Sequence, residues 1–77
     1  GFLETVAHDM AKGEGEALNA LALAYGIEDQ SDNAAFAKAL QQNFETVFNQ
    51  ENISSEAFLH NVELVMQNDA DLQKYLA

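Results

Sequence analysis

Carboxylates and imidazoles at helical spacing are the residues of this chain best placed to do chemistry. Glu4 and His8 are four residues apart, and Glu56, His60 and Glu63 fall at i, i+4 and i+7, so each set shares one helix face. Two helices that each offer Glu and His have the donor types of a carboxylate-bridged metal bundle. The spacing departs from that motif, which is Glu-x-x-His, whereas this chain has Glu-x-x-x-His. The five side chains also lie off the apolar stripes and should face water. They are candidate metal ligands, surface ion pairing is the simpler reading, and no metal or cofactor is expected.

Other chemical motifs fail on inspection. Asp29-Gln30-Ser31-Asp32-Asn33 opens like a calcium loop, but Ala34 stands where glycine is needed and Leu40 where the bidentate glutamate belongs. There is no cysteine, so a nucleophile would have to be Ser31, Ser54 or Ser55. Each serine is better explained as a cap or pre-cap residue, and none sits in a Gly-x-Ser-x-Gly elbow. Size and acidity fit an acyl carrier protein, but the Asp-Ser-Leu attachment site is missing, since Ser31 lies between Gln30 and Asp32. Gly13-Glu14-Gly15-Glu16 lacks the Lys-Ser/Thr of a phosphate loop, and its glutamates would repel phosphate. No catalytic residue is assigned.

These residues are positioned by helices. Proline is absent, and Phe2, Leu3, Val6, Ala7 and Met10 follow helical spacing, as do Ala17, Leu18, Leu21, Ala22 and Tyr25. Met10 and Ala17 are seven residues apart, nearly two turns, so the two stripes are in phase. That favours one helix over residues 2–25, long or kinked at Gly13 or Gly15, over two separate helices. On this reading Gly13 lies on the buried face at a tight crossing and Gly15 points outward. Gly13→Leu should then disrupt packing, and Gly15→Ala should be neutral or stabilising. Gly26 ends the helix as a C′ glycine, with Ile27 packing back.

Ser31 or Asp32 should cap a second helix carrying Phe36, Ala37, Leu40, Phe44, Val47 and Phe48 and ending near Asn49. Ser54 should cap a third, with Ile53 and Phe58 as a hydrophobic staple. Asp69 should cap a short last helix holding Leu72, Tyr75 and Leu76. The short connections imply a single all-α domain over residues 1–77, a bundle of about four helices.

Composition limits the functions such a bundle can have. The net charge is −10, from 13 acidic and 3 basic residues, and the acids are scattered as on a solvated surface. Nucleic-acid binding needs clustered Lys and Arg, so it is excluded as an expectation, and anionic membranes are disfavoured by the same argument. No apolar run is long enough to insert into a membrane. Hydrophobic residues are 48%, enough for a core. Leu23 and Leu64 lie off their helix stripes. If they share a surface, they mark a contact site for another chain.

The segment FLETVAHDMAKGEGEALNALALAYGI, from Phe2 to Ile27, resembles the C-terminal half of a family of small exported bacterial proteins, domain-of-unknown-function family 3015. The shared element is Asp-Met-Ala-x-Gly-x-Gly-Glu, matched here by Asp9, Met10, Ala11, Gly13, Gly15 and Glu16, before an Ala/Leu-rich helix ending in Gly. The later QQNFETVFNQENISSEAFLHNV is similar to the family's Asn-Phe, Phe and capped-helix pattern. The resemblance implies a periplasmic or secreted parent, with a signal peptide and a Gly- and Cys-rich N-terminal half. The chain would be a fragment or mature portion of that precursor, with Gly1 a candidate cleavage scar. The family supplies no catalytic residue to carry over. The expectation is a non-enzymatic domain acting through contacts with a protein partner or with the remainder of its precursor, in an oligomeric state the sequence does not fix. The alternative is a small-ligand or metal-binding bundle built on the Glu and His residues.

Overall fold

Each apolar stripe becomes the inner face of a helix in the computed structural model, which describes residues 1–76. The helices are α1 (Phe2–Lys12), α2 (Glu16–Ala24), α3 (Gln30–Gln42), α4 (Phe44–Val47) and α5 (Ser55–Gln67), followed by a 3-10 turn at Gln73–Tyr75. No strand occurs among the described residues. Four of the helices are long enough to form the bundle, and α3 touches the other four. One core collects Val6 and Met10 from α1, Leu18 and Leu21 from α2, Phe36 and Leu40 from α3, and Phe58, Val62 and Met66 from α5. Burying each such side chain contributes about 1.5–3 kcal/mol. The radius of gyration is 11.2 Å, close to the roughly 11.5 Å that a chain of this length needs when no arm protrudes.

The expected long first helix is not present: residues 2–25 form two helices. α1 stops in a Schellman turn. Gly13 adopts the left-handed conformation at φ 84°, its N–H donates to the carbonyls of Asp9 and Met10, and the Glu14 N–H donates to Asp9 at 3.1 Å. Gly15, at φ 148° and ψ 165°, then precedes the first turn of α2. That region of backbone space is accessible essentially to glycine alone. Phase continuity between Met10 and Ala17 arises because both helices face the same core, which does not require an unbroken helix between them.

The end of α2 is as expected. Gly26 donates to Leu23 and the Ile27 N–H donates to Ala22, while Ile27 is fully buried. The cap of α3 is Asp29, in place of Ser31 or Asp32: its carboxylate accepts from the Asp32 N–H at 2.9 Å and from the Ser31 hydroxyl at 2.8 Å. α3 also ends earlier than Asn49, at Gln42. The Asn43 side chain donates to the Ala39 carbonyl at 2.8 Å, sharing that acceptor with its own backbone N–H, and the chain turns there into α4. Ser54 caps α5 by accepting from the Ala57 N–H at 3.1 Å, and both staple residues, Ile53 and Phe58, are buried. Asp69 caps no α-helix. Its carboxylate accepts from Asp71 and its carbonyl from Leu72 and Gln73, which leads into the 3-10 turn.

Candidate functional site

The residues of the glycine-rich element build a corner. Asp9 lies on the inner side of α1, only 6% exposed, and its Oδ2 accepts from the N–H groups of Ala17 at 2.9 Å and Leu18 at 3.2 Å. A carboxylate from one helix thus satisfies the unpaired amides at the start of the next and meets the positive end of its dipole. Gly15 makes this approach feasible, because a Cβ there would lie 2.0 Å from the Asp9 Cγ. Gly13 does not sit on a buried helix face. The nearest atoms to a Cβ on it would be those of the Gln41 side chain, from 3.2 Å, and Gln41 reaches across to donate to the Ala11 carbonyl. The roles assigned to the two glycines from sequence are therefore exchanged: Gly15 is at the close approach, and Gly13 serves its conformation. Met10 is fully buried beside the corner, and Glu16 opens α2 with a negative charge in its first turn.

The remaining candidates are dispersed. His8 and His60 are both exposed. Among the described residues no group of three or more His, Asp or Glu side chains is placed to hold a metal ion, so Glu4, His8, Glu56, His60 and Glu63 are not gathered into one. Glu63 instead accepts from the Tyr25 hydroxyl at 2.8 Å, tying the end of α2 to α5. Burial, and then that bond to Glu63, hold the Tyr25 hydroxyl well above the usual phenol range.

Asp29 and Asp32 serve helix ends. Asp32 accepts from the Tyr75 hydroxyl and lies 2.9 Å from the Lys74 ammonium, which also stands 5.4 Å from the Tyr75 ring centroid. The Tyr75 hydroxyl, then Lys74, hold the Asp32 carboxyl below its ordinary range. Asp32 in turn raises both Tyr75 and Lys74. This latch fixes the 3-10 turn to the start of α3, and Leu72 before it is fully buried. Ser54 is engaged as a cap and Ser31 supports one, while no hydrogen bond joins either to an imidazole.

The surface keeps several large apolar side chains in water. Leu23 is 59% exposed, Phe2 50%, Leu64 39% and Leu59 38%. Leu23 and Leu64 border different hollows. Leu23 lies beside Asn19, Glu28 and Asn33, and Leu64 beside Gln42, Asn43, Thr46 and Asn68. A third hollow, of about 560 Å³, is the most apolar, with Phe2, Leu3, Ala7, Phe48 and Ile53 around it. Sequence reading missed this hollow because its two walls come from residues nearly fifty positions apart.

The arrangement defines a small all-helical domain in which the carboxylates of Asp9, Asp32 and Glu63 hold helices together. Residues 1–76 match the family model described as a protein of unknown function (DUF3015), and the chain belongs to that family. No curated protein and no solved structure matches it. Of the matched motif positions, Asp9, Gly13 and Gly15 form the corner and Met10 fills the core beneath it. Among the described residues no helix is long and apolar enough to cross a membrane.

Proposed function

We propose that this is a non-enzymatic helical domain of an exported bacterial protein, working in the periplasm or outside the cell through protein–protein contacts. The observation that carries the reading is Leu23, a large apolar side chain 59% exposed on a surface of net charge −10. Leu64 and Phe2 extend the supply of apolar contact points. The acidic coat supports solubility and selects against acidic partners. The partner is another protein or the remainder of the same precursor, and the resemblance of Phe2 to Ile27 to exported proteins supports the compartment.

The test compares the domain alone with the domain in the presence of the remainder of its precursor, by hydrogen exchange and light scattering. The expected result is a complex in which exchange slows over one of the faces bearing Leu23, Leu64 or Phe2. A strictly monomeric mass with unchanged exchange on every outer face would overturn the reading.

A further inference from the structure

We propose that the Asp9 corner is a hinge through which two copies of this chain exchange α1. Opened, α1 and α2 run on as one helix, and α1 seats in the second copy. The inference goes beyond the contact-domain reading and does not use the exposed side chains on which that reading rests. The turn from Gly13 to Gly15 is held by two glycine conformations and one carboxylate. Its backbone bonds are close to those of a continuous helix. The Gly13 N–H reaches the Asp9 carbonyl at 2.8 Å and the Asn19 N–H reaches the Gly15 carbonyl at 3.0 Å, both at α-helical spacing. The Glu14 N–H has slipped one residue, to Asp9 in place of Met10. In the open form the Ala17 and Leu18 amides take the Gly13 and Glu14 carbonyls in place of the Asp9 carboxylate, so opening strands no backbone donor.

The phase of the two stripes selects the occupant. At about 100° per residue, Val6, Met10, Ala17 and Leu21 fall within about 60° of arc on a continuous helix. A helix over residues 2–24 is about 35 Å long, whereas the greatest extent of the whole domain is 30 Å. Opening therefore carries α1 off its own core. Val6 and Met10, both fully buried in the closed form, then need cover. The seat that fits them is the one α1 has left, and a second open copy presents the same seat. Both stripes face one side of the fused helix, so the two cores lie on that side and a twofold pair closes with neither seat empty. Two features favour the closed form. Helix-interior glycines disfavour the fused helix, and two chains of charge −10 repel each other.

The experiment uses the double variant Gly13→Ala and Gly15→Ala and, separately, Asp9→Ala. Each alanine favours the helical form about fivefold, and with both positions changed in each of two chains dimerisation should strengthen by roughly several hundredfold. Asp9→Ala strands the Ala17 and Leu18 amides in the closed form alone, so it should favour the dimer too. Light scattering at the concentrations used for magnetic resonance should give a doubled mass, with wild-type helix content or more by circular dichroism. Added salt should favour this dimer by screening its like charges. In dilute solution the same substitutions only weaken the monomer, because the exchanged form depends on chain concentration. Exchange itself is read by refolding an isotope-labelled variant with an unlabelled one carrying a nitroxide at Ala11→Cys, an exposed position. Gln41 of α3 donates to the Ala11 carbonyl, so amides around Gln41 of the labelled copy should broaden. Inserting Gly-Gly after Glu14 turns the stripes about 200° out of phase and should restore the monomer in the Asp9→Ala background. A folded monomer for both variants, a dimer without broadening near Gln41, a dimer indifferent to the insertion, or loss of helix in both variants would overturn the proposal. None of these outcomes decides whether the remainder of the precursor covers Leu23, Leu64 or Phe2, so the contact-domain reading stands or falls separately.

Discussion

Gly15→Ala should be among the most damaging single-methyl additions in this domain. The added Cβ would lie 2.0 Å from the Asp9 Cγ, 2.2 Å from Oδ2 and 2.3 Å from Oδ1, so the carboxylate must leave. Its departure strands the Ala17 and Leu18 amides at the buried start of α2. Loss of a helix cap costs about 0.5–2 kcal/mol. Holding alanine at φ 148° and ψ 165° adds strain of about 1–3 kcal/mol. The sum, about 1.5–5 kcal/mol, is a large share of the roughly 4–12 kcal/mol expected for 77 residues. Urea unfolding followed by far-ultraviolet circular dichroism measures it, and the melting temperature should fall by at least about 6 °C. Asp9→Ala should cost less, because it removes the cap without the strain. In the Asp9→Ala background, Gly15→Ala should lose about 1–2 kcal/mol of its effect, since the group it displaces is already gone. An ordinary exposed glycine would instead gain about 0.4–1 kcal/mol on becoming alanine. Wild-type stability for Gly15→Ala, or strict additivity with Asp9→Ala, would refute the steric account.

Further outcomes follow from the other links. At Gly13 the left-handed conformation is the constraint, so Gly13→Asn should be milder than Gly13→Leu by about 1 kcal/mol in the same urea assay. Asp32 is held below the ordinary carboxyl range by Tyr75 and Lys74, so its contribution is complete above that range and is lost as pH falls through the lowered value. Protection of the amides in the Gln73–Tyr75 turn, taken relative to the intrinsic exchange rate at each pH, should therefore fall on acidification, and Asp32→Asn should leave it low and nearly pH-independent at the outset. Tyr25 is raised by burial and by Glu63, so the stability its neutral form contributes is complete below the normal phenol range and is lost as pH rises from that range through the raised value. Ultraviolet titration should find it ionising later than a solvent-exposed tyrosine, and Glu63→Gln should bring the midpoint down.

Local signals were legible where one turn of chain decides the outcome. Ser54 caps α5, and Gly26 with Ile27 closes α2, because the partners of each lie within five residues. The apolar stripes likewise mark the buried faces. The break at Gly13 and Gly15 was hidden by a coincidence of phase, since two helices packed on one core keep the same periodicity as one. A signal was present in Asp9, a carboxylate flanked on the stripe by Val6 and Met10, where a charge has no place unless something receives it. Asp29 and Asp32 sit one turn apart, so composition does not decide which of them caps α3; the Tyr75 hydroxyl and Lys74 engage Asp32. Links such as Asp32 to Tyr75, 43 residues away, and Tyr25 to Glu63, 38 away, exist only once the bundle has closed. The hollow at Phe2 is of the same kind, assembled from both ends of the α1–α4 packing.

The Asp9 corner also bears on the order in which the chain assembles. Its hydrogen bonds span 8 and 9 residues, a loop that closes in about 10–100 ns at little entropic cost. The bonds from Tyr25 and Tyr75 span 38 and 43 residues and must wait for α3 and α5. The α1–α2 pair is thus joined by the side-chain links of shorter reach, which need neither α3 nor α5. The latch at Tyr75, with the longest span of these links, depends on the most chain being in place.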